Sequence, residues 1–380
     1  MRKAVLILVS MTIGVLIPLI VFEIALRFMP VNEGIAAARV NESDPIFHFI
    51  PDQNLIWSRG WDFSQVNRVR VNNTGFVNDQ DYDRSSDDPL FAVIGDSYVE
   101  AAMVPYAETI QGRLAQLVGP DGRVYSFAAS GAPLSQYLVW TRDARMWWRA
   151  EALAVVIVGN DFDESLAAYM QRPGFHYYFE TSDGTLTLRR VDYEPSWGRE
   201  LVKRSALLRY LVLNLQTLDR LKSLSATFPS ITRPAKADDF VGNTPRKRGA
   251  ARLERSRNAI RAFLRDMVTY AGWRPDQVVF VVDGIRHPTD NPRVKSSYFM
   301  QIREFFMSEA RLAGFEVVDM DKLFFALLRG KLSLLTSAPS TSTGMERPMA
   351  SPPMLSPPAR YSPAGGSNSF CPRVRHKALN

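Results

Sequence analysis

The strongest constraint on the fold is an alternation of short apolar runs with segments that have helical spacing. Three runs, LFAVIG, RVYSFAAS and ALAVVIVG, stop at small or polar residues just before Asp96, Gly131 and Asn160. Each run has the length and composition of a strand buried on both faces. Helical patterns separate the runs, and the alternation resumes over 253–320. The sequence therefore predicts an α/β domain in which helices cover both faces of a parallel sheet.

Four segments are predicted along the chain from their composition. Residues 1–29 form an N-terminal signal anchor, and residues 30–88 form a stalk and a small β element. The α/β domain spans 89–326 and includes an insertion of aromatic and charged residues over 165–250. Residues 327–380 contain eight prolines and no aspartate, so a disordered tail is predicted there.

The N-terminus carries an uncharged apolar stretch over residues 4–22, preceded by Arg2 and Lys3. Its length is close to the roughly 20 residues that cross a bilayer as a helix. A cleaved signal peptide is the alternative, but this stretch is longer than usual for one and no small-residue cleavage site follows. The basic pair is expected to stay in the cytoplasm. In a bacterium, this predicts a single-pass inner-membrane protein whose catalytic domain lies in the periplasm.

The net charge of +7 does not indicate a nucleic-acid-binding domain. Seven basic residues and one acidic residue lie in 327–380, which leaves a net charge of +1 for the rest of the chain. No nucleic-acid partner is therefore expected. Cys371 is the sole cysteine, so the chain has neither a disulfide framework nor a cysteine-based metal site.

Polar residues directly after parallel strands lie at the carboxyl edge of the sheet, where open α/β folds bind ligands. Ser97 would open a helix there, where unpaired N–H groups favour negative charge. The amides of Ser97 and Gly131 and the side chain of Asn160 could stabilise an oxyanion. The structural alternatives are an N-cap role for Ser97 and a turn role for Asn160.

Three aspartates near these positions have simpler interpretations. Asp96 is expected to order the loop before Ser97. Asp161 and Asp163 could be mistaken for a metal-binding pair, but no third ligand follows at a suitable spacing. A solvated loop is therefore expected at both positions, and no metal is expected.

The order and spacing of these blocks resemble the SGNH (GDSL-type) hydrolase superfamily over about residues 89–320. IGDSYVE is similar to its serine block, AASGAP to its glycine block and IVGNDFDES to its asparagine block. One departure is that Gly159 directly precedes Asn160, whereas the commonest pattern places a residue between them. The resemblance implies a three-layer flavodoxin-like fold with Ser97 as the nucleophile. It also implies an oxyanion hole made by Ser97, Gly131 and Asn160, without a cofactor.

The superfamily's general base is a histidine closely preceded by an aspartate, on a loop after the last strand. Four histidines are present, and none matches this position: His48, His176, His287 and His376. His48 precedes the sheet, and His176 lies in the insertion. His287 follows an earlier strand, and no aspartate accompanies His376. The histidine block is therefore missing from the sequence.

A frameshift near residues 327–336 would account for this loss. Read in another frame, the codons for Ser340 to Ala350 permit the pattern D-x-H-W-N-G-x-x-H-G. D-x-H-W-N resembles the histidine block of envelope members of the superfamily, including proteins similar to alginate O-acetyltransferases. The unusual composition, Cys371 and most of the net charge all begin where the shift is proposed.

The resemblance implies a serine esterase acting on O-acyl esters, O-acetyl esters among them, of envelope carbohydrates. Because the Asp and His are missing, we expect little or no activity, and whether this chain is an enzyme stays open. Two other functions stay open as well. One is an O-acetyltransferase of an exported polysaccharide, and the other is a non-catalytic envelope protein that binds carbohydrate.

Overall fold

A computed structural model describes residues 2–120, 122–217, 240–241, 244–245, 249–285 and 292–327. The predicted disordered tail and the proposed frameshift lie outside the described residues. His287 and His376 also lie outside them, whereas His48 and His176 are described.

Strands and helices are numbered along the chain. The strands are β1 (Gln53–Arg59), β2 (Gln65–Val71), β3 (Leu90–Gly95), β4 (Arg123–Ala128), β5 (Ala152–Ile157), β6 (His176–Glu180), β7 (Leu186–Arg190), β8 (Phe240–Val241), β9 (Thr244–Pro245), β10 (Val278–Val282) and β11 (Glu316–Asp319). The helices are α1 (Arg2–Leu26), α2 (Ser97–Glu100), α3 (Ile110–Val118), α4 (Leu134–Met146), α5 (Asp161–Glu164), α6 (Trp197–Arg204), α7 (Ala206–Arg209), α8 (Ala250–Thr269), α9 (Pro292–Lys295) and α10 (Tyr298–Leu312).

The central sheet has five parallel strands in the order β11-β10-β5-β3-β4. Numbered along the chain and read from the β4 edge, these strands run 2-1-3-4-5, which is the flavodoxin-like order. The predicted α/β fold with a parallel sheet is therefore confirmed.

Helices pack on both faces of this sheet. On one face, α4, α8 and α10 lie over the largest group of buried side chains, which includes Val155 and Phe280. On the other face, α3 packs against β4, and a separate group contains Val93, Val124 and Val156. The neighbours Val155 and Val156 thus enter different cores, as alternation along a strand buried on both faces requires.

Helix α1 is the described candidate for a membrane span. It is long and apolar enough to cross a bilayer over Val5–Leu26, and residues 5–22 are all exposed on the protein surface. At its end, Leu26 packs with the buried side chains of Val31 and Ala206. The predicted anchor is thus present as a helix of sufficient length and apolarity.

Residues 30–88 contain the predicted β element, an antiparallel hairpin of β1 and β2. A turn follows the hairpin at Gly75, which has a φ of +85°. A side chain there would begin 2.2 Å from the carbonyl oxygen of Phe49, so glycine is required. Phe47, Phe49 and Phe76 belong to the main core, so this segment packs on the sheet domain rather than standing off as an extended stalk.

The described part of the insertion contains two antiparallel strand pairs, β6–β7 and the short β8–β9, and two short helices. The β6–β7 hairpin packs against α4. Helices α6 and α7 follow, and α7 contacts α1. Helix α7 continues directly into a π-helical turn at Tyr210–Asn214.

Candidate active site

Ser97, Gly131 and Asn160 follow three strands that are neighbours in the sheet. The strand before Ser97, β3, pairs with β4 on one side and with β5 on the other. Adjacent strands lie about 5 Å apart, so the three loops begin close together at one edge. From β3 the chain goes to β4 on one side of the sheet, and it then crosses to β5 on the other side of β3. The position between β3 and β5 is therefore the switch point where open α/β sheets form a crevice. The structure therefore brings the three predicted residues to one place, and each is partly exposed there.

Ser97 is the first residue of α2, directly after the sharp exit from β3. Val99 packs so closely on Gly95 that a Cβ on that glycine would lie 2.5 Å from Val99 Cγ2. Asp96 caps the helix, because its Oδ1 accepts the Tyr98 N–H at 2.9 Å. Its Oδ2 accepts the Ser97 hydroxyl at 3.3 Å. Asp96 thus orders this loop, as the sequence led us to expect, and it also orients the Ser97 hydroxyl.

Gly131 lies in the loop after β4 with a φ of +79°, a conformation that favours glycine. The preceding amide, that of Ser130, donates a hydrogen bond to Oε2 of Glu100. Glu100 is buried and ends α2, so this bond joins the Ser97 loop to the Gly131 loop. The guanidinium of Arg172 covers Gly131, where an added Cβ would lie 1.8 Å from its Nη1.

Asn160 begins the turn into α5, and its side-chain amide donates to Glu164 Oε2 at 3.1 Å. The next residue, Asp161, is completely buried, so the expectation of a solvated loop was wrong. Its Oδ2 accepts the Val158 N–H at 2.8 Å and the Tyr137 hydroxyl at 3.1 Å. Asp161 therefore fixes the backbone that carries Asn160.

Asp163 is also completely buried, and a solvated position was wrong there too. It forms an ion pair with Arg252 of α8, whose Nη2 lies 2.6 Å from Asp163 Oδ2. The same guanidinium lies over the ring of Tyr169, 4.0 Å from its centroid. Asp161 and Asp163 thus have separate partners on separate elements and do not converge on a shared site.

Three buried carboxyl groups lie at this edge, and the charge of one, Asp96, acts on the other two. Burial raises the pKa of Asp96 to about 6. Burial also raises the pKa of Glu100 to about 7, and the charge of Asp96 adds to that effect. The pKa of Asp161 lies well above its usual range, because of burial first and the Asp96 charge second. The site therefore favours neutral carboxyl groups, which reduces repulsion toward a developing oxyanion.

Neither described histidine is placed to serve Ser97. His48 faces acceptors at both ring nitrogens, with Asp44 Oδ2 at 2.8 Å and the Phe49 carbonyl at 2.7 Å. His176 lies in β6, where its Nδ1 is 3.1 Å from Gln136 Oε1. Burial lowers the pKa of His176 to about 4, so its ring is neutral near pH 7.

A cleft of about 450 Å³ adjoins the site. Glu100, Ser130 and Arg172 line it on the side of the sheet edge, and Arg199 reaches it from α6. Within the described residues, neither arginine has a carboxylate partner in an ion pair. The remaining wall is rich in aromatic side chains, namely Phe47, Phe49, Trp57, Phe175 and Tyr193.

Sequence reasoning missed two residues of this site. Glu100 had a visible signal, because Ser97-x-x-Glu100 matches the spacing of a helix capping box, but its carboxylate points to the next loop instead. Arg172 had no such signal, since it lies 41 residues after Gly131 in an irregular segment. Its position depends on how the β6–β7 hairpin packs on α4.

Comparisons with known proteins give distant structural neighbours. No family model matches the chain, and no curated protein matches its sequence. A lipase/acylhydrolase from Enterococcus faecalis is similar in structure, with 9% identity, a TM-score of 0.28, and coverage of 62% of this chain and 77% of that one. The lipase Lip_vut3 from a goat rumen metagenome has 10% identity and a TM-score of 0.29, with coverage of 61% and 80%.

Proposed function

We propose that this chain belongs to the SGNH-type serine esterases, and that with its histidine block present it would act on O-acyl esters of envelope carbohydrates. The observation that carries the proposal is the convergence of Ser97, Gly131 and Asn160 at the ends of three adjacent parallel strands. The α1 helix would anchor the enzyme in the inner membrane, with the α/β domain in the periplasm.

In this proposal, Ser97 Oγ attacks the ester carbonyl carbon while a general base takes the hydroxyl proton. The carbonyl oxygen becomes an oxyanion that accepts hydrogen bonds from the Ser97 and Gly131 amides and from Asn160. The bond between the carbonyl carbon and the sugar oxygen then breaks, and the sugar oxygen receives the proton from the base. Water releases the acyl group from Ser97 by the same steps. The contact between Ser97 and Asp96 supports the role of Ser97, because it holds the hydroxyl at the edge of the crevice.

The base of this mechanism is the histidine block that the sequence lacks. We therefore propose that the chain has little or no esterase activity, and that a shifted reading frame beyond residue 327 encodes the functional ending. Losing the base of such a catalytic unit typically lowers the rate by several orders of magnitude. The nucleotide sequence across residues 320–380 tests the frameshift directly: a stop codon in the shifted frame, or the absence of Asp and His codons, would exclude it.

The cleft supports a carbohydrate substrate. Aromatic walls such as Trp57 and Tyr193 offer flat apolar faces, and Arg172 and Arg199 offer hydrogen-bond donors to sugar oxygens. Glu100 lies between this cleft and the Ser97 loop, so a sugar bound in the cleft would have its ester near the crevice.

The test compares two full-length proteins in detergent, one with the present tail and one with the shifted-frame tail. Acetate release from an acetylated polysaccharide should occur only with the second. Ser97→Ala in that protein should abolish release, whereas Ser308→Ala on the surface of α10 should not change it. Equal activity of the two tails would refute the inactivity of the present chain. Full activity of Ser97→Ala would refute the assignment of the nucleophile. Absence of acetate release from both the shifted-frame protein and its Ser97→Ala variant would favour a binding protein.

The same assay separates hydrolysis from transfer. An acyl donor and a polysaccharide acceptor are supplied together, and free acetate and acetylated polysaccharide are both measured. Faster formation of acetylated polysaccharide would identify an O-acetyltransferase that uses the same Ser97 intermediate.

A further inference from the structure

Exposed apolar side chains surround the point where α1 enters the domain, and we infer that they dock onto the lipid headgroup layer of the membrane that α1 spans. These side chains are 84% exposed at Phe28, 48% at Met29, 74% at Trp61, 83% at Trp197 and 52% at Leu201. We call these five residues the membrane collar. The inference rests on α1 lying in a bilayer and is independent of the proposed esterase activity.

The end of α1 is fixed to the domain by hydrogen bonds. Glu23 Oε2 accepts the Ser205 hydroxyl at 2.8 Å and the Leu207 N–H at 2.9 Å, at the start of α7. Leu26 and Ala206 bury their side chains together beside these bonds. The helix axis and the domain are therefore joined without a flexible linker.

A buried polar network fixes the chain just beyond α1. The Asn32 N–H donates to Asn214 Oδ1 at 3.0 Å, and the Asn32 side chain donates to the Ser58 carbonyl at 2.7 Å. Asn214 in turn donates to the Ser58 hydroxyl at 2.8 Å. Because all three side chains are buried, breaking this network would leave several polar groups without partners. The domain therefore holds one orientation relative to α1.

Collar members on three separate segments are tied to this junction. Phe28 and Met29 follow α1 directly in the chain. The Trp61 carbonyl accepts the Tyr210 hydroxyl at 2.7 Å, and Tyr210 packs beside the group formed by Leu26, Val31 and Ala206.

The third segment is helix α6. Trp197 and Leu201 lie one turn apart on it, so both occupy the same face. The helix ends at Arg204, next to the Ser205 that binds Glu23. The exposed face of α6 therefore begins where α1 leaves the membrane.

The chemistry of the collar fits a lipid surface. Tryptophan is enriched at membrane interfaces, where an apolar ring meets polar headgroups. Basic side chains near the surface attract anionic phospholipids. Within three residues of a collar member in the chain, the exposed charged side chains are basic at Arg27, Arg59, Arg199, Lys203 and Arg204 and acidic at Asp62, Glu194 and Glu200. This excess of positive charge favours an anionic lipid layer over a second copy of the chain, whose collar would carry the same charge.

Spin labels can measure the depth of the collar. Full-length protein with Cys371→Ser receives a single label at Trp197→Cys or Leu201→Cys and is reconstituted into vesicles of phosphatidylethanolamine and phosphatidylglycerol. The matched control is Leu312→Cys at the end of α10, where the wild-type side chain is 81% exposed. We expect the labels at 197 and 201 to collide with membrane-soluble oxygen more than with a water-soluble nickel complex, and the label at 312 to show the opposite preference.

Charge removal supplies the second readout. Lys203→Gln and Arg204→Gln should each lower the ratio of lipid-contacting to water-exposed label by about fivefold, because each basic residue contributes about that factor near an anionic surface. Labels at 197 and 201 that are as water-exposed as the label at 312 would overturn the inference. Dipolar broadening between labels at 197 would overturn it too, because it would show that a second copy covers the collar.

Discussion

Replacing Glu100 by glutamine should make the protein more stable at alkaline pH while leaving its stability in acid nearly unchanged. Burial raises the pKa of this carboxyl from 4.5 to about 7. In the unfolded chain the group titrates near 4.5, so between these two values the folded state binds more protons than the unfolded state. Wild-type stability therefore falls as the pH rises from about 4.5 to about 7, and stays lower above that.

The size of this effect follows from the same shift. A change of one pKa unit corresponds to about 1.4 kcal/mol, so the shift of Glu100 corresponds to about 3 kcal/mol of folding free energy at pH 8. Glutamine does not titrate, and its side-chain oxygen can accept the Ser130 N–H as the carboxylate does. We therefore expect Glu100→Gln to gain about 2–3 kcal/mol over the wild type between pH 4.5 and pH 8.

Urea unfolding of the full-length protein in detergent, followed by tryptophan fluorescence across this pH range, measures the difference. Glu108→Gln is the control, because Glu108 is an exposed glutamate close to the same loops. It should leave the pH dependence unchanged. A gap between Glu100→Gln and the wild type that stays constant across the pH range would refute the reasoning.

Two further substitutions test the packing around the site. Arg252→Ala should cost about 3–5 kcal/mol of unfolding free energy, because it leaves the buried Asp163 carboxylate without its cation. Arg252→Met combined with Asp163→Asn should cost much less, because no buried charge is then left unpaired. Additive losses in urea titrations of the single and double variants would contradict this. Gly131→Ala should cost about 1–2 kcal/mol for the strained φ and also lower esterase kcat in the shifted-frame protein. Gly184→Ala is the control, because Gly184 has a φ of +81° and nothing lies within 4 Å of the new Cβ. It should lose similar stability and leave kcat unchanged. Equal kcat losses in the two variants would mean that Gly131 has no special role at the site.

The fold and the positions of the site residues were predictable because they depend on short-range patterns. Strand length and composition indicate a parallel sheet, and a parallel sheet brings the residues after its strands to one edge. Ser97, Gly131 and Asn160 needed no other information to be placed near one another. The roles assigned to them stay predictions.

The burial of Asp161 and Asp163 was not predictable in this way. Acidic residues after a strand usually face solvent. Here each of the two is buried, because a partner on another helix provides a hydrogen bond or an ion pair to its carboxyl group. Tyr137 lies on α4 and Arg252 lies on α8, beyond the whole insertion. Such pairing depends on tertiary packing, which local periodicity does not contain. The same reason explains why residues 30–88 were expected to form a stalk, since their core contacts are long-range.

The polar network of Asn32, Ser58 and Asn214 also determines how far the protein can reach. A domain on a flexible linker samples a volume that grows with linker length, so it can search for substrate well away from its membrane. Here the chain passes from α1 into a buried network with no such linker, and the cleft is lined by Asn32 itself. In the proposed membrane-anchored protein, the cleft therefore stays at one height above the bilayer, and the substrate must come to that height. Inserting a linker between Met29 and Asn32 would lengthen the reach but would break the junction that holds the cleft in place.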